Sequence, residues 1–119
     1  MQGNATRTAR IVVVVALVTV GGPAAAEPRV IELSLRNGQL PEDQRVVRVQ
    51  QGDDVTLRWT TDRPLTVHLH GYDLERKLSP GAPVLMRFTV RATGRFPLEI
   101  HGSSHGDEQT VGYLEVHPR

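Results

Sequence analysis

Short segments in which apolar and polar residues alternate recur between residues 30 and 116, and they limit the folds that the chain can adopt. Such alternation, together with many β-branched residues, is typical of strands that bury one face. Turn-forming pairs such as Asn37-Gly38 and Gly52-Asp53 separate the segments. The predicted strands are 30–35, 45–49, 55–60, 65–70, 84–90, 96–101 and 112–116. About seven short strands predict an all-β, antiparallel sandwich, and residues 73–77 are predicted to form a turn of helix.

The first 26 residues have the three-part composition of an export signal. Arg7 and Arg10 give a basic start, residues 11–20 are largely apolar, and three alanines at 24–26 offer a cleavage site. The apolar run is short for a membrane span, which takes about 20 apolar residues. We therefore expect a signal peptide at 1–26 and one domain at 27–119 in a periplasmic or secreted protein, not inserted in the membrane. Retention of the segment as an anchor is the alternative.

Charge and cysteine content exclude several classes of function. The chain has 14 Lys plus Arg and 13 Asp plus Glu. Because Arg7 and Arg10 lie in the leader, the domain has 12 basic against 13 acidic residues, a net charge of −1. No basic stripe is present in the sequence, so we expect no nucleic-acid binding. There is no cysteine, so neither a disulfide nor thiolate chemistry is available to the domain.

The five histidines are the candidate functional residues. His68 and His70 share one face of a predicted strand, because strand side chains alternate. His101 ends a later predicted strand and His105 follows it in a Gly/Ser-rich loop, and strand ends of this kind converge in a sandwich. Three or four imidazoles without a thiolate favour copper(II), with zinc as the alternative. His117, beside a proline after the last predicted strand, is interpreted as a surface residue.

One alternative stands beside this metal-site hypothesis. If His68 and His70 do not lie near His101 and His105 in the fold, they are expected to be surface residues of an edge strand that bind no metal. Acidic residues near the histidines could orient ligating rings, but each is interpreted as a solvated surface charge. These acidic residues are Asp73, Glu75, Glu99, Asp107 and Glu108.

Three stretches carry a resemblance to a known family. They read QGDDVTLRW at 51–59, VHLHGYDL at 67–74 and PGAPVLMRFTVRATGRFPLEIHGSSHGDEQTVGYLEV at 80–116. In this order they resemble the cupredoxins, small Greek-key β-sandwich copper proteins, over nearly all of the domain. The resemblance implies a cupredoxin-like fold and a copper ion. His70, before a small residue and an aromatic, matches the family's first histidine ligand, and His105 matches the second.

The chain departs from the family where a blue-copper site needs sulfur. The position of the family's copper-binding cysteine falls on Ile100 or His101, and the position of its axial methionine falls on Gln109 or Thr110. Glutamine serves as a weak axial ligand in some copper sites. The resemblance thus implies a histidine-rich site without a thiolate. Its expected ligands are His70, His101 and His105, with His68 as a fourth ligand or a supporting residue and Gln109 as the axial candidate.

These features predict an exported cupredoxin-like protein that binds one copper ion for copper handling or slow redox exchange. Rapid electron transfer of the blue-copper kind loses its main support without the cysteine. A periplasmic redox or metal-transfer protein is the expected partner besides the metal. The alternative is a metal-free cupredoxin-fold interaction module with a pH-sensitive histidine edge, since imidazole titrates near pH 6.5. An enzyme is not expected, because the sequence offers no acid, base or substrate pocket to name.

Overall fold

The computed structural model describes residues 28–102 and 105–119, together with Gly3 and residues 13–17. For residues 105–107 it describes the backbone alone. Within these residues eight strands form two sheets, with a 3-10 turn at Glu42–Gln44. The strands are β1 (Pro28–Leu35), β2 (Val46–Gln50), β3 (Asp54–Thr61), β4 (Leu65–Leu69), β5 (Leu74–Leu78), β6 (Val84–Thr89), β7 (Gly94–Gly102) and β8 (His105–His117). One sheet has the order β1-β3-β6 and the other β2-β8-β7-β4-β5.

The all-β sandwich predicted from the alternation is confirmed, but it is not wholly antiparallel. β1 runs parallel to β3, and β2 runs parallel to β8. The remaining neighbours pair antiparallel. Most of the predicted signal segment lies outside the described residues. No helix within the described part of the chain is long and apolar enough to cross a bilayer.

The segment at 73–77 belongs to a strand, so the predicted turn of helix is wrong. Leu74–Leu78 pairs with β4 at the edge of the five-stranded sheet. The turn between the two strands holds Gly71 at φ 90° and Asp73 at φ 53°. A Cβ atom on Gly71 would lie 2.6 Å from the Phe96 ring, so the turn requires glycine there. The polar sequence LERKL carries little strand signal of its own, and pairing with β4 determines its conformation.

The core lies between the sheets and is filled by alternate strand residues. The buried side chains include Leu33, Leu57, Trp59 and Met86 of the three-stranded sheet, and Val67, Leu69, Leu98, Ile100 and Leu114 of the five-stranded sheet. Each such side chain contributes about 1.5–3 kcal/mol by leaving water. Because these positions face inward, the residues between them in β4 and β7 face the outer surface of the five-stranded sheet.

Asp53 is the buried charged residue of the described core, with 1% of its surface exposed. Its carboxylate accepts a hydrogen bond from the backbone N–H of Gln50 at 3.0 Å. Arg29 lies 3.3 Å away, and Arg119 pairs with the other carboxylate oxygen. The buried charge is thereby balanced. These contacts tie β1 and the segment after β8 to the turn between β2 and β3.

Candidate metal centre

The outer face of the five-stranded sheet brings three histidines together. His68 lies in β4 between the buried residues Val67 and Leu69, so its ring points away from the core. In the register of β4 and β7, His68 pairs with Glu99. The adjacent pair on the same face is Thr66 with His101. The alternation that buries the core therefore also places these side chains side by side.

The third strand of this face is β8. His101 pairs with Glu108, and the Nε2 atom of His101 lies 3.2 Å from the Oε1 atom of Glu108. His70 follows directly after β4, where its backbone N–H donates to the carbonyl of Pro97 at 3.0 Å. That hydrogen bond holds the start of the turn against β7.

An irregularity in β8 decides which of its residues faces the histidines. Leu98 pairs with Gly112 but Glu99 pairs with Thr110, so Val111 is an extra residue in the ladder. A single extra residue exchanges the two faces of a strand beyond it. Counting by twos from the buried Leu114 would put Gln109 beside His101. The bulge puts Glu108 there instead.

The rings of His68, His70 and His101 lie close enough for neighbouring rings to bind the same metal ion. The centroids of His68 and His70 are 5.8 Å apart with a T-shaped arrangement, and those of His68 and His101 are 6.4 Å apart. His68, His70 and Glu99 offer donor atoms that all lie within 4.8 Å of one another, and so do His68, His101 and Glu108. Two imidazoles with one carboxylate form a donor set that suits divalent transition metals.

Glu99 is the least exposed member of the group. Its side chain is 13% exposed, and its Oε2 atom is buried without a hydrogen-bond partner among the described residues. The Nδ1 atom of His68 lies 3.7 Å from it, which is too long for a hydrogen bond. A buried carboxylate oxygen without a partner is costly. A bound cation would satisfy it.

The charge of this face also favours a cation. Among the described side chains on the outer face of β4, β5, β7 and β8 around His68, three are carboxylates and one is an ammonium. They are Glu75, Glu99, Glu108 and Lys77. Glu75 pairs with His68 from β5, on the side opposite Glu99. A surface with this excess of negative charge concentrates cations.

The predicted ligands separate into three groups in the structure. His68, His70 and His101 come together on the outer face. His105 begins β8, where its backbone pairs with Gly102, and its side chain lies outside the described residues. Gln109 pairs with the buried Ile100, so it stands on the opposite side of the sheet from the histidine rings.

The two residues left open for the family's cysteine position differ in their surroundings. Ile100 is 6% exposed and packs in the core, whereas His101 faces outward and contacts Glu108. Glu99 and Glu108, interpreted from sequence as solvated charges, lie within the histidine group. The sequence did indicate the position of Glu99, because Glu99 and His101 are two residues apart on one predicted strand and so share a face. The position of Glu108 could not be read from the alternation, because the bulge changes the face on which it lies.

His117 forms a separate pair. Its Nε2 atom lies 2.7 Å from the Oε1 atom of Glu115, two residues earlier on β8. Arg48 of β2 lies 3.7 Å from the same carboxylate. Within the described residues no further histidine or acid joins this pair closely enough to complete a group of three. The structure is thus consistent with the surface role predicted for His117.

No protein-family model matches the chain, and no curated protein matches it in sequence. Solved structures do match in fold. The NMR solution structure of a copper binding protein in the apo form has a TM-score of 0.60 at 12% identity, over 76% of this chain and 88% of that one. Auracyanin A, a "blue" copper protein from Chloroflexus aurantiacus, has a TM-score of 0.55 at 17% identity, over 76% and 99%.

Domains of larger enzymes share the fold. A multicopper oxidase matches with a TM-score of 0.57 at 17% identity over 76% of this chain. The chain spans only 42% of that oxidase and 66% of a matching heme-copper terminal oxidase chain. At such identities the likeness shows the fold alone. The domain has the cupredoxin-like β-sandwich fold, as the sequence resemblance implied.

Proposed function

We propose that the domain binds one copper(II) ion on the outer face of its five-stranded sheet and serves in copper handling outside the cytoplasm. His68 is the central ligand, because it belongs to both groups of donor atoms. His70 and His101 supply further imidazoles, and Glu99 and Glu108 supply carboxylates. The observation that carries the proposal is the buried, unpartnered Oε2 atom of Glu99 beside the His68 ring.

The nitrogen and oxygen donors of the site favour copper(II) over the other ions considered. For a given set of nitrogen and oxygen ligands, copper(II) binds more tightly than zinc, which is the competing ion. Copper(I) prefers soft sulfur ligands, and the chain has no cysteine. The site therefore stabilises the divalent state, which suits capture, storage or delivery of the ion better than redox exchange. Similarity of fold to a copper binding protein and a "blue" copper protein supports copper.

Export is the second part of the proposal. It is supported by the basic start, the apolar run and the three alanines at 24–26, a signal-peptide pattern. Cleavage there would release residues 27–119 into the periplasm or the medium. Amino-terminal sequencing of protein recovered from outside the cytoplasm is expected to begin at Glu27. An intact start at Met1 would contradict export by cleavage.

An equilibrium titration with copper(II) and zinc(II) against a competing chelator tests the metal site. We expect one copper(II) bound per chain, more tightly than zinc(II), with affinity at least about tenfold weaker in His68→Ala. His117→Ala is the matched control, since His117 also pairs with a glutamate but has no third donor near it in the described part of the chain. Equal binding by His68→Ala and the unsubstituted protein, or binding by neither, would contradict the proposal.

A further inference from the structure

The two groups of donor atoms on the outer face share one residue. The first, named here the inner group, consists of His68, His70 and Glu99, and the second, the outer group, of His68, His101 and Glu108. Each group contains two imidazoles and one carboxylate. His70 and Glu99 do not join the outer donors in a single group of five. One ion therefore cannot use all five residues in this arrangement.

Each group has one exposed member, His70 in the inner group and Glu108 in the outer, so the difference between the groups lies in their carboxylates. Glu99 is 13% exposed, whereas Glu108 is 54% exposed. The Oε2 atom of Glu99 is buried without a hydrogen-bond partner among the described residues, but Glu108 already contacts His101. A carboxylate in low dielectric attracts a dication more strongly than one in water. The inner group should hold the ion more tightly, and the oxygen of Glu108 should be reached from solvent more readily than the oxygen of Glu99.

Both groups need the same imidazole. A neutral histidine ring has one lone pair for a metal, since its other nitrogen carries a proton. His68 can therefore bind one ion at a time. Occupation of one group leaves the other with two of its three ligands.

Resting on the proposed function, we infer that the domain holds a single copper(II) ion in two alternative positions, an outer position for entry and release and an inner position for retention. In passing inward, the ion exchanges the nitrogen of His101 and the oxygen of Glu108 for the nitrogen of His70 and the oxygen of Glu99. The ion remains copper(II) throughout, so no electron donor or acceptor is required. An acceptor can take the ion from the outer position by replacing Glu108, which is the most exposed ligand of the outer group.

Two isosteric variants, Glu99→Gln and Glu108→Gln, separate the two positions. Electron paramagnetic resonance of the full chain with one equivalent of copper(II) should show a major and a minor signal. Glu99→Gln should leave the minor signal and weaken affinity at least about tenfold, whereas Glu108→Gln should leave the major signal and change affinity less. Transfer of copper(II) to excess ethylenediaminetetraacetate should be slowed about tenfold by Glu108→Gln and accelerated by Glu99→Gln.

The outcomes distinguish this inference from the proposed function. If the unsubstituted protein binds no copper(II), the proposed function fails. If it binds one copper(II) ion with one signal that both variants weaken equally, the two-position inference fails and the proposed function stands. Binding of two ions with similar affinity would contradict both. Unfolding monitored by the fluorescence of the buried Trp59 controls for the fold of each variant. Because Glu108 is exposed, the transfer measurement with Glu108→Gln tests the inference even if Glu99→Gln misfolds.

Discussion

Glu99 of β7 stands directly opposite His68 of β4, and its buried Oε2 atom lies 3.7 Å from the Nδ1 atom of His68. Cross-strand pairs of this kind fix the spacing of side chains on a sheet face. The pair brings a carboxylate oxygen that has no hydrogen-bond partner among the described residues next to an imidazole, on a face that also carries His70 and His101.

Replacing Glu99 with glutamine should have opposite effects on the metal-free and metal-bound domain. Without metal, removal of the poorly satisfied buried charge should raise the free energy of unfolding by about 1 kcal/mol. Copper(II) at one hundred times its dissociation constant should stabilise the unsubstituted protein by about 2.7 kcal/mol, and the variant much less at the same concentration. Urea unfolding with and without copper(II) measures both. Destabilisation of the metal-free variant would show that Glu99 has a structural partner instead.

Gly112 lies beside the bulge and packs closely against the backbone of Arg45. A Cβ atom there would lie 2.5 Å from the carbonyl oxygen of Arg45, and Tyr113 donates its N–H to the same oxygen at 2.8 Å. Gly112→Ala should therefore lower the free energy of unfolding by about 1–3 kcal/mol through overpacking. Gly102→Ala, where a Cβ meets no described atom within 4 Å, should be nearly neutral. Similar effects of the two substitutions on urea unfolding would contradict the steric explanation.

The buried Asp53 carboxylate should contribute strongly to stability. It accepts the N–H of Gln50 and pairs with Arg29 and Arg119. Asp53→Ala should lower the free energy of unfolding by about 3 kcal/mol, because hydrogen bonds to a charged group are lost. Arg119→Ala should cost less, since Arg29 still balances the charge. A larger loss from Arg119→Ala than from Asp53→Ala in denaturant unfolding would refute this order.

Asp62 should give the domain a pH-dependent increment of stability. Its carboxylate accepts the backbone N–H of Asn37 at 2.9 Å, which lowers the pKa of Asp62 from its ordinary value, and Arg63 lowers it further. Because the folded pKa lies below the unfolded value of about 3.9, the increment is present above that pH and lost as pH falls through the folded pKa.

Comparison with Asp62→Asn isolates this effect. The asparagine keeps an oxygen that can accept the Asn37 N–H but carries no charge. The stability of the original protein relative to the variant should therefore decline as pH is lowered from 5 toward 3. A stability difference that stays constant over this range in urea unfolding would count against the carboxylate.

Part of this arrangement could be predicted from sequence, because strand alternation is a local property. It predicts that Val67 and Leu69 are buried while His68 and His70 share the outer face, and the structure agrees. It could not predict β5, whose conformation depends on pairing with β4. It also could not predict that Glu108 lies beside His101.

The bulge explains why the position of Glu108 could not be predicted from the sequence. The extra residue Val111 exchanges the faces of β8 beyond Gly112. The bulge lies next to Gly112, which packs against the backbone of Arg45, a residue distant in sequence that precedes β2, so no local pattern reveals it. Gln109, the axial candidate, consequently lies on the opposite face. His105, whose side chain is outside the described residues, stays a prediction.

The coordination of copper(II) by histidine tests the central claim most directly. Pulsed electron paramagnetic resonance counts imidazole nitrogens by their coupling to the ion, and each group of donors contains two histidines. The copper-loaded protein should show two coordinated imidazoles, and His68→Ala should lose this signature while His117→Ala keeps it. A spectrum without imidazole coupling, or one that His68→Ala leaves unchanged, would contradict a copper site centred on His68.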